Sequence, residues 1–178
     1  APQNNENAFL LFRQACQNKL VQGCLNTGLA HMRGIGTPVQ WEQAAHHLRL
    51  GCTQKDPQSC FHLANVYLKS PTLRNDNTGH KHLKQACFLR HVPACEQLNQ
   101  LYELPTLDLE GYEESAFFFR KSCALGQPRS CYGLGLLNKY GRGTDPNCTE
   151  ALKLFRLACR NGFSKACNAQ CTKKKDDE

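Results

Sequence analysis

Twelve cysteines are the side chains of this 178-residue chain best able to do covalent chemistry. Ten obey one spacing rule. Cys16/Cys24, Cys52/Cys60, Cys87/Cys95, Cys123/Cys131 and Cys159/Cys167 each stand eight residues apart, and the first members follow one another at steps of 36, 35, 36 and 36 residues. Cysteines so placed could ligate metal, exchange disulfides or brace a fold. Structural zinc sites and redox-poised thiolates favour Cys-x-x-Cys, which this chain lacks. Structural bonds within the five pairs are therefore expected. A bond closing a loop of about nine residues contributes roughly 2–3 kcal/mol on the chain-entropy model. Such bonds imply an oxidising compartment: periplasm, secretory route or mitochondrial intermembrane space.

Cys148 and Cys171 break the rule. In regular helices their levels would differ by roughly 10 Å, beyond the ~7 Å between Cα atoms that a disulfide spans. An even cysteine total favours pairing, which would need the last helix to unwind. This sixth pair is left open, against buried or partner-reactive thiols.

Six of the seven histidines fall within residues 46–91. His47 and His82 share one repeat position, five before the first cysteine. Equivalent positions on stacked helical hairpins lie about 10 Å apart, too far for one metal shell. Solvated helix faces are the expectation, with haem or metal ligation as the alternative; no cofactor is assigned. Ser-x-x-Lys, Lys-Thr-Gly, Gly-x-Ser-x-Gly, His-Glu-x-x-His and a phosphate loop are all missing. The chain therefore reads as non-catalytic, and a β-lactamase-like activity would lack its nucleophile. Asn147-Cys148-Thr149 fits the glycosylation sequon, a pattern short enough to arise by chance.

Cations form a further pattern. Arg13, Arg49, Lys84, Arg120 and Arg156 each stand three residues before a first cysteine. With His47, His82 and Phe118, which share the neighbouring repeat position, they are the expected partner-contact set. The net charge of +7 and a pI near 8.8 favour acidic partners. No basic run is interleaved with aromatics, so nucleic acid is not expected. Tyr112, Phe117 and Phe118 are readable either as core or as an exposed anchor for a partner.

These residues must be positioned by a repeating element. Four before each first cysteine stand Phe12, Leu48, Leu83, Phe119 and Phe155; eight before stand Ala8, Ala44, Gly79, Ser115 and Ala151; one before stand Ala15, Gly51, Ala86, Ser122 and Ala158. This mix of large and small residues traces one face of a helix, A, with room for a close neighbour. A turn carrying Asp56-Pro57, Val92-Pro93, Gln127-Pro128 or Asn161-Gly162 follows, and the second cysteine opens helix B. Helix B should stop at Gly34-Ile35-Gly36 and Gly141-Arg142-Gly143. Ser70-Pro71-Thr72-Leu73 and Leu104-Pro105-Thr106-Leu107 replace those glycines in irregular loops, where a functional departure from the repeat would sit.

The fold class is thus all-α, a solenoid of about five helix-turn-helix units over a single repeat domain, 1–178. The units are 6–39, 40–75, 76–110, 111–146 and 147–172, with hairpins at 6–33, 40–69, 76–103, 111–140 and 147–171. The last is truncated, and 173–178 is a frayed tail. Apart from its cysteines the chain is thinly apolar, with a mean hydropathy of −0.55. No run approaches the ~20 apolar residues of a membrane helix. The opening Ala1-Pro2, without Met, is what removal of a secretion signal or other trimming would leave.

The paired cysteines, the segment Ala151-Leu152-Lys153-Leu154-Phe155-Arg156-Leu157-Ala158-Cys159, and Cys131-Tyr132-Gly133-Leu134-Gly135 followed by Gly141-Arg142-Gly143 resemble the Sel-one-like repeat family. Within it, the chain looks most like the disulfide-rich proteins of Helicobacter. The resemblance covers nearly the whole chain; units two and three depart from it by losing the Gly-x-Gly loop. It implies a right-handed superhelix whose concave surface binds other proteins.

A non-catalytic interaction scaffold, periplasmic or secreted, is the resulting expectation: a monomer that grips an acidic protein on the concave face of its A helices. Proteins of the resembled type include secreted host-interaction factors, penicillin binders, periplasmic immunity proteins that neutralise a toxic effector, and a mitochondrial assembly factor for respiratory oxidase. An immunity or inhibitor protein and a haem-binding or redox assembly factor are the alternatives of a different class.

Overall fold

The computed structural model describes residues 2–102 and 109–171. Among them are ten helices and no strand: α1 (Pro2–Gln17), α2 (Val21–Arg33), α3 (Trp41–Thr53), α4 (Pro57–Lys69), α5 (Asp76–Phe88), α6 (Val92–Tyr102), α7 (Leu109–Ala124), α8 (Pro128–Tyr140), α9 (Cys148–Arg160) and α10 (Ser164–Cys167). The expected loop at Leu104-Pro105-Thr106-Leu107 and the tail at 173–178 lie outside the described residues. The chain folds as two compact units, Ala1–Ala94 and Cys95–Glu178. In the first, α1 to α5 pack each on the next; in the second, α7 to α10 do the same.

Every hairpin turn is built alike. The residue three after the first cysteine has a left-handed backbone: Lys19 (φ 62°), Lys55 (61°), Arg90 (67°), Gly126 (85°) and Gly162 (92°). Its N–H donates to the first cysteine's carbonyl, as Lys55 does to Cys52 at 3.0 Å, and the next N–H reaches back to the residue before that cysteine, as Asp56 does to Gly51 at 3.2 Å. This is the Schellman closure of a helix end, usually made by glycine. Here three of five turns use a cationic residue instead.

So short a turn sets the second cysteine beside the first. Cys16–Cys24, Cys52–Cys60, Cys123–Cys131 and Cys159–Cys167 are bonded with Cα separations of 4.4, 4.6, 4.7 and 4.8 Å. Cys87 and Cys95 are also disulfide-bonded. Beside each bond the two helices meet at small residues. A Cβ added to Gly23 would lie 2.6 Å from Ala15 Cβ, and one on Gly51 would collide with Ser59 Oγ.

Hairpins stack by a second close approach. An added Cβ at Gly28 would stand 2.5 Å from Leu48 Cγ and 3.3 Å from the Ala44 carbonyl; Gly135 stands likewise against Phe155 and Ala151. The missing side chain of helix B makes room for the large residue of the next helix A. Leu48 and Leu83 are fully buried, Phe119 and Phe155 nearly so. Phe12, at the same repeat position and expected in the core, is 37% exposed. Among the described residues no helix packs on that side of α1.

Backbone bonds secure each junction: the amides of Gln40, Asn75 and Asn147, which cap α3, α5 and α9, donate to the carbonyls of His31, Tyr67 and Asn138. Gly34 (φ 69°) and Gly141 (φ 64°) end α2 and α8. Where α4 lacks that glycine, Ser70 caps it, its Oγ accepting from the amides of Thr72 and Leu73.

The Cys148–Cys171 bond is present, with Cα atoms 5.4 Å apart. The 10 Å offset expected of regular helices does not arise, because α10 ends at Cys167 and the chain turns back non-helically to reach the first residue of α9. Helix α9 is therefore bracketed by disulfides at both ends.

Candidate functional site

Helix period places the residue seven after the second cysteine at the junction with the next hairpin. His31 holds that place on α2 and stacks on His47 of α3, ring centroids 5.7 Å apart and planes within 8°. Phe9 meets His31 edge-on at 5.1 Å, and His46 meets His47 edge-on at the same distance. One hairpin further, Tyr67 of α4 stacks on His82 of α5 at 5.9 Å and 15°. The same two repeat positions thus carry the same ring pair twice.

These contacts correct the expectation of solvated faces for His47 and His82, whereas His46 is exposed. His31 is buried, and His47 and His82 are half-buried. Burial, aided by His46, His31 and Arg13, lowers the His47 pKa to about 4. Burial likewise lowers His31 and His82, although the bond from His82 Nδ1 to Gln85 Oε1 opposes the shift. His62 and His91 are also lowered by burial, and the positive charge of Arg33 adds to the effect on His62. These imidazoles are neutral at pH 7, so the positive charge of the face comes from arginine and lysine. His47 Nδ1 lies 3.6 Å from Cys16 Sγ, which fits a neutral ring packed on a disulfide.

Phe118 occupies the same repeat position as His47 and His82 and was expected at the partner surface. It is 2% exposed, so it belongs to the core of α7 and is no contact residue. Phe117 is the exposed member of that aromatic run, with Lys121 Nζ 5.7 Å from its ring centre.

The cations fare differently. Arg13, Arg49, Arg120 and Arg156 are exposed, and Lys84 is half-buried. Arg13 sits 5.8 Å over the Phe9 ring. Arg49 Nη2 donates to the Tyr67 hydroxyl at 2.5 Å. In the Ala1–Ala94 unit, each ring stack therefore lies beside an arginine of the preceding helix A: Arg13 by His47, Arg49 by His82. Aromatic rings held by packing and flanked by guanidiniums suit carboxylate-bearing protein surfaces.

In the second unit, Arg142 lies between the rings of Tyr112 and Tyr140, 5.3 and 5.6 Å from their centres. It bridges the Gly141–Gly143 loop to α7. Among the described residues no group of three or more His, Cys, Asp or Glu side chains converges as a metal site, and no helix is long and apolar enough to cross a membrane.

The ring pairs escape sequence reasoning because each joins positions in two successive hairpins. The signal for them was present: His31 and Tyr67 are the rings seven residues after Cys24 and Cys60.

Fold and surface together define a disulfide-clipped helical-hairpin repeat, an architecture that serves as a protein–protein interaction scaffold and is generally non-catalytic. The Sel1 repeat model matches residues 1–20, 21–56, 57–87 and 128–163, and the chain belongs to the Sel1 repeat family. Cytochrome c oxidase assembly factor 7 of Danio rerio is 30% identical over 121 residues, which are 64% of this chain and 52% of that protein. A protective antigen of uropathogenic Escherichia coli displaying an SLR fold superposes with a TM-score of 0.71 at 21% identity, over 90% of this chain and 35% of that one. Helicobacter pylori cysteine rich protein B aligns with a TM-score of 0.49 at 26% identity, over 72% of this chain and 93% of that one. The chain spans about half the length of the curated relative it matches.

Proposed function

We propose that this protein is a non-catalytic scaffold of an oxidising compartment that grips an acidic protein partner through the cations three residues before each first cysteine. The observation that carries this reading is that Arg13, Arg49, Arg120 and Arg156, at one repeat position, are all exposed while the neighbouring histidines are neutral. Lys84, half-buried at the same position, belongs to the set. The disulfides support a compartment that sustains oxidised thiols.

A second reading rests on the zebrafish relative: assembly of cytochrome c oxidase, with the mitochondrial intermembrane space as the compartment. The periplasm or secretion suits the disulfides equally well. Affinity capture from the native compartment, followed by mass spectrometry, separates these readings by the partner recovered. Association with that partner should weaken as salt rises. Charge reversal of Arg49 and Arg120 should weaken it at least tenfold, and unchanged affinity would count against the reading.

A further inference from the structure

In the second hairpin the arginine three before the first cysteine has an acceptor: Arg49 donates to Tyr67 on the full-length α4 of the same hairpin. The fifth hairpin departs from this. Its helix B, α10, stops after Cys167, and among the described residues no further helical turn covers the corresponding stretch of α9. What remains is a hollow of about 370 Å³ lined by Leu152, Phe155, Arg156 and Arg160 on α9, opposite Ala166 and Ala169. That volume is within the range of small-ligand sites.

The spacing of the α9 residues is informative. Leu152, Arg156 and Arg160 stand at i, i+4 and i+8, so they follow one stripe of the helix about 6 Å apart. In an extended peptide, alternate side chains share a face and repeat every ~6.6 Å. The two periods match over three contacts. Among the described residues, neither guanidinium is held in a salt bridge. The nearby Lys153, by contrast, is already paired with Glu150 at 3.2 Å. Phe155 and the two alanines give the hollow an apolar floor.

We infer that this hollow binds an extended acidic peptide segment of the pattern apolar-x-acid-x-acid, with the apolar side chain over Leu152 and Phe155 and the two carboxylates on Arg156 and Arg160. The fork of a guanidinium engages a carboxylate through paired N–H donors, a geometry lysine does not reproduce. Cys148–Cys171 and Cys159–Cys167 tie both ends of α9 to the segment that faces it across the hollow. The inference rests on the acidic-partner reading and specifies the peptide pattern that one of its cations, Arg156, would take.

The test is a fluorescence-polarisation titration of the full chain with labelled Leu-Ser-Glu-Ser-Glu, blocked at both ends, and with its Leu-Ser-Gln-Ser-Gln counterpart. The acidic peptide should bind at least tenfold more tightly than the amide one, and increasing sodium chloride should weaken it. R156Q and R160Q should each reduce its affinity by about fivefold to tenfold, while their melting curves stay those of the parent. K69Q, at an exposed lysine of α4 outside both the cation set and the hollow, serves as the control and should leave the titration unchanged. Equal affinity for the two peptides, no saturation, or unaltered binding by R156Q and R160Q would overturn the assignment. Loss of binding in R49E, with R156Q and R160Q unaffected, would move the acidic peptide to the cations of the Ala1–Ala94 unit, sinking the hollow while leaving the broader reading intact. The broader reading fails separately, if charge reversal leaves capture of the native partner unaffected.

Discussion

His31 and His47 lie ring on ring across the first hairpin junction, centroids 5.7 Å apart, with the second imidazole also against Cys16 Sγ. Protonating either would place charge between a disulfide, a second histidine and Arg13. The pair therefore ties the stability of the Ala1–Ala94 unit to pH.

The direction follows from linkage. The folded pKa of His47 is about 4, below the ordinary 6.5, so between those values the unfolded chain binds more protons. The stabilisation is complete above pH 6.5 and is lost as pH falls towards 4, by at most about 3 kcal/mol, and by less to the extent that water screens the half-buried ring. Thermal melts at about pH 7, 5.5 and 4 should show this decline. H47F should reduce its slope, leaving the part due to the other buried histidines, since Phe118 shows that the repeat position accepts phenylalanine. An H47F variant with an unchanged pH slope would contradict the assignment.

The hairpin junctions depend on absent side chains. G28A should destabilise by about 2–3 kcal/mol, because its Cβ would press on Leu48 in a packed core. G126A should cost only about 1 kcal/mol. Nothing lies within 4 Å of its Cβ, and the left-handed φ of 85° is the sole penalty. Urea denaturation of both variants checks the order.

Lys55 holds a left-handed conformation that two equivalent turns give to glycine. K55G should stabilise the protein by about 0.5–1 kcal/mol, the relief of backbone strain exceeding the entropy glycine adds to the unfolded chain. The same denaturation assay reads it, and a destabilised K55G would mean that the lysine side chain contributes more than its backbone costs.

Cys148–Cys171 encloses a loop 23 residues long in sequence separation. Replacing both cysteines with serine should remove about 3 kcal/mol on the chain-entropy model. Limited proteolysis should then cut first after Cys167, where the non-helical return has lost its anchor. An unchanged cleavage pattern would show that the return is held by packing instead.

The amino-acid order alone determined the repeat, the two helices of each hairpin and the clipping bonds. Each is a local matter: eight residues separate the paired cysteines, and the apolar face recurs at helical spacing within a single element. Glycines at the ends of α2 and α8 were equally legible, because a left-handed helix end selects glycine by sterics. The left-handed lysines at 19 and 55 were not, since there the turn overrides residue preference.

Only the tertiary structure decided which side chains the stacking covers. His47 and Phe118 share a repeat position, yet one is half-buried beside His31 and the other lies in the core, a distinction set by neighbouring helices. It also decided the sixth bond, because whether Cys171 reaches Cys148 depends on where α10 stops. Burial and the end of a helix are outcomes of packing between elements, and spacing along a chain carries no measure of either.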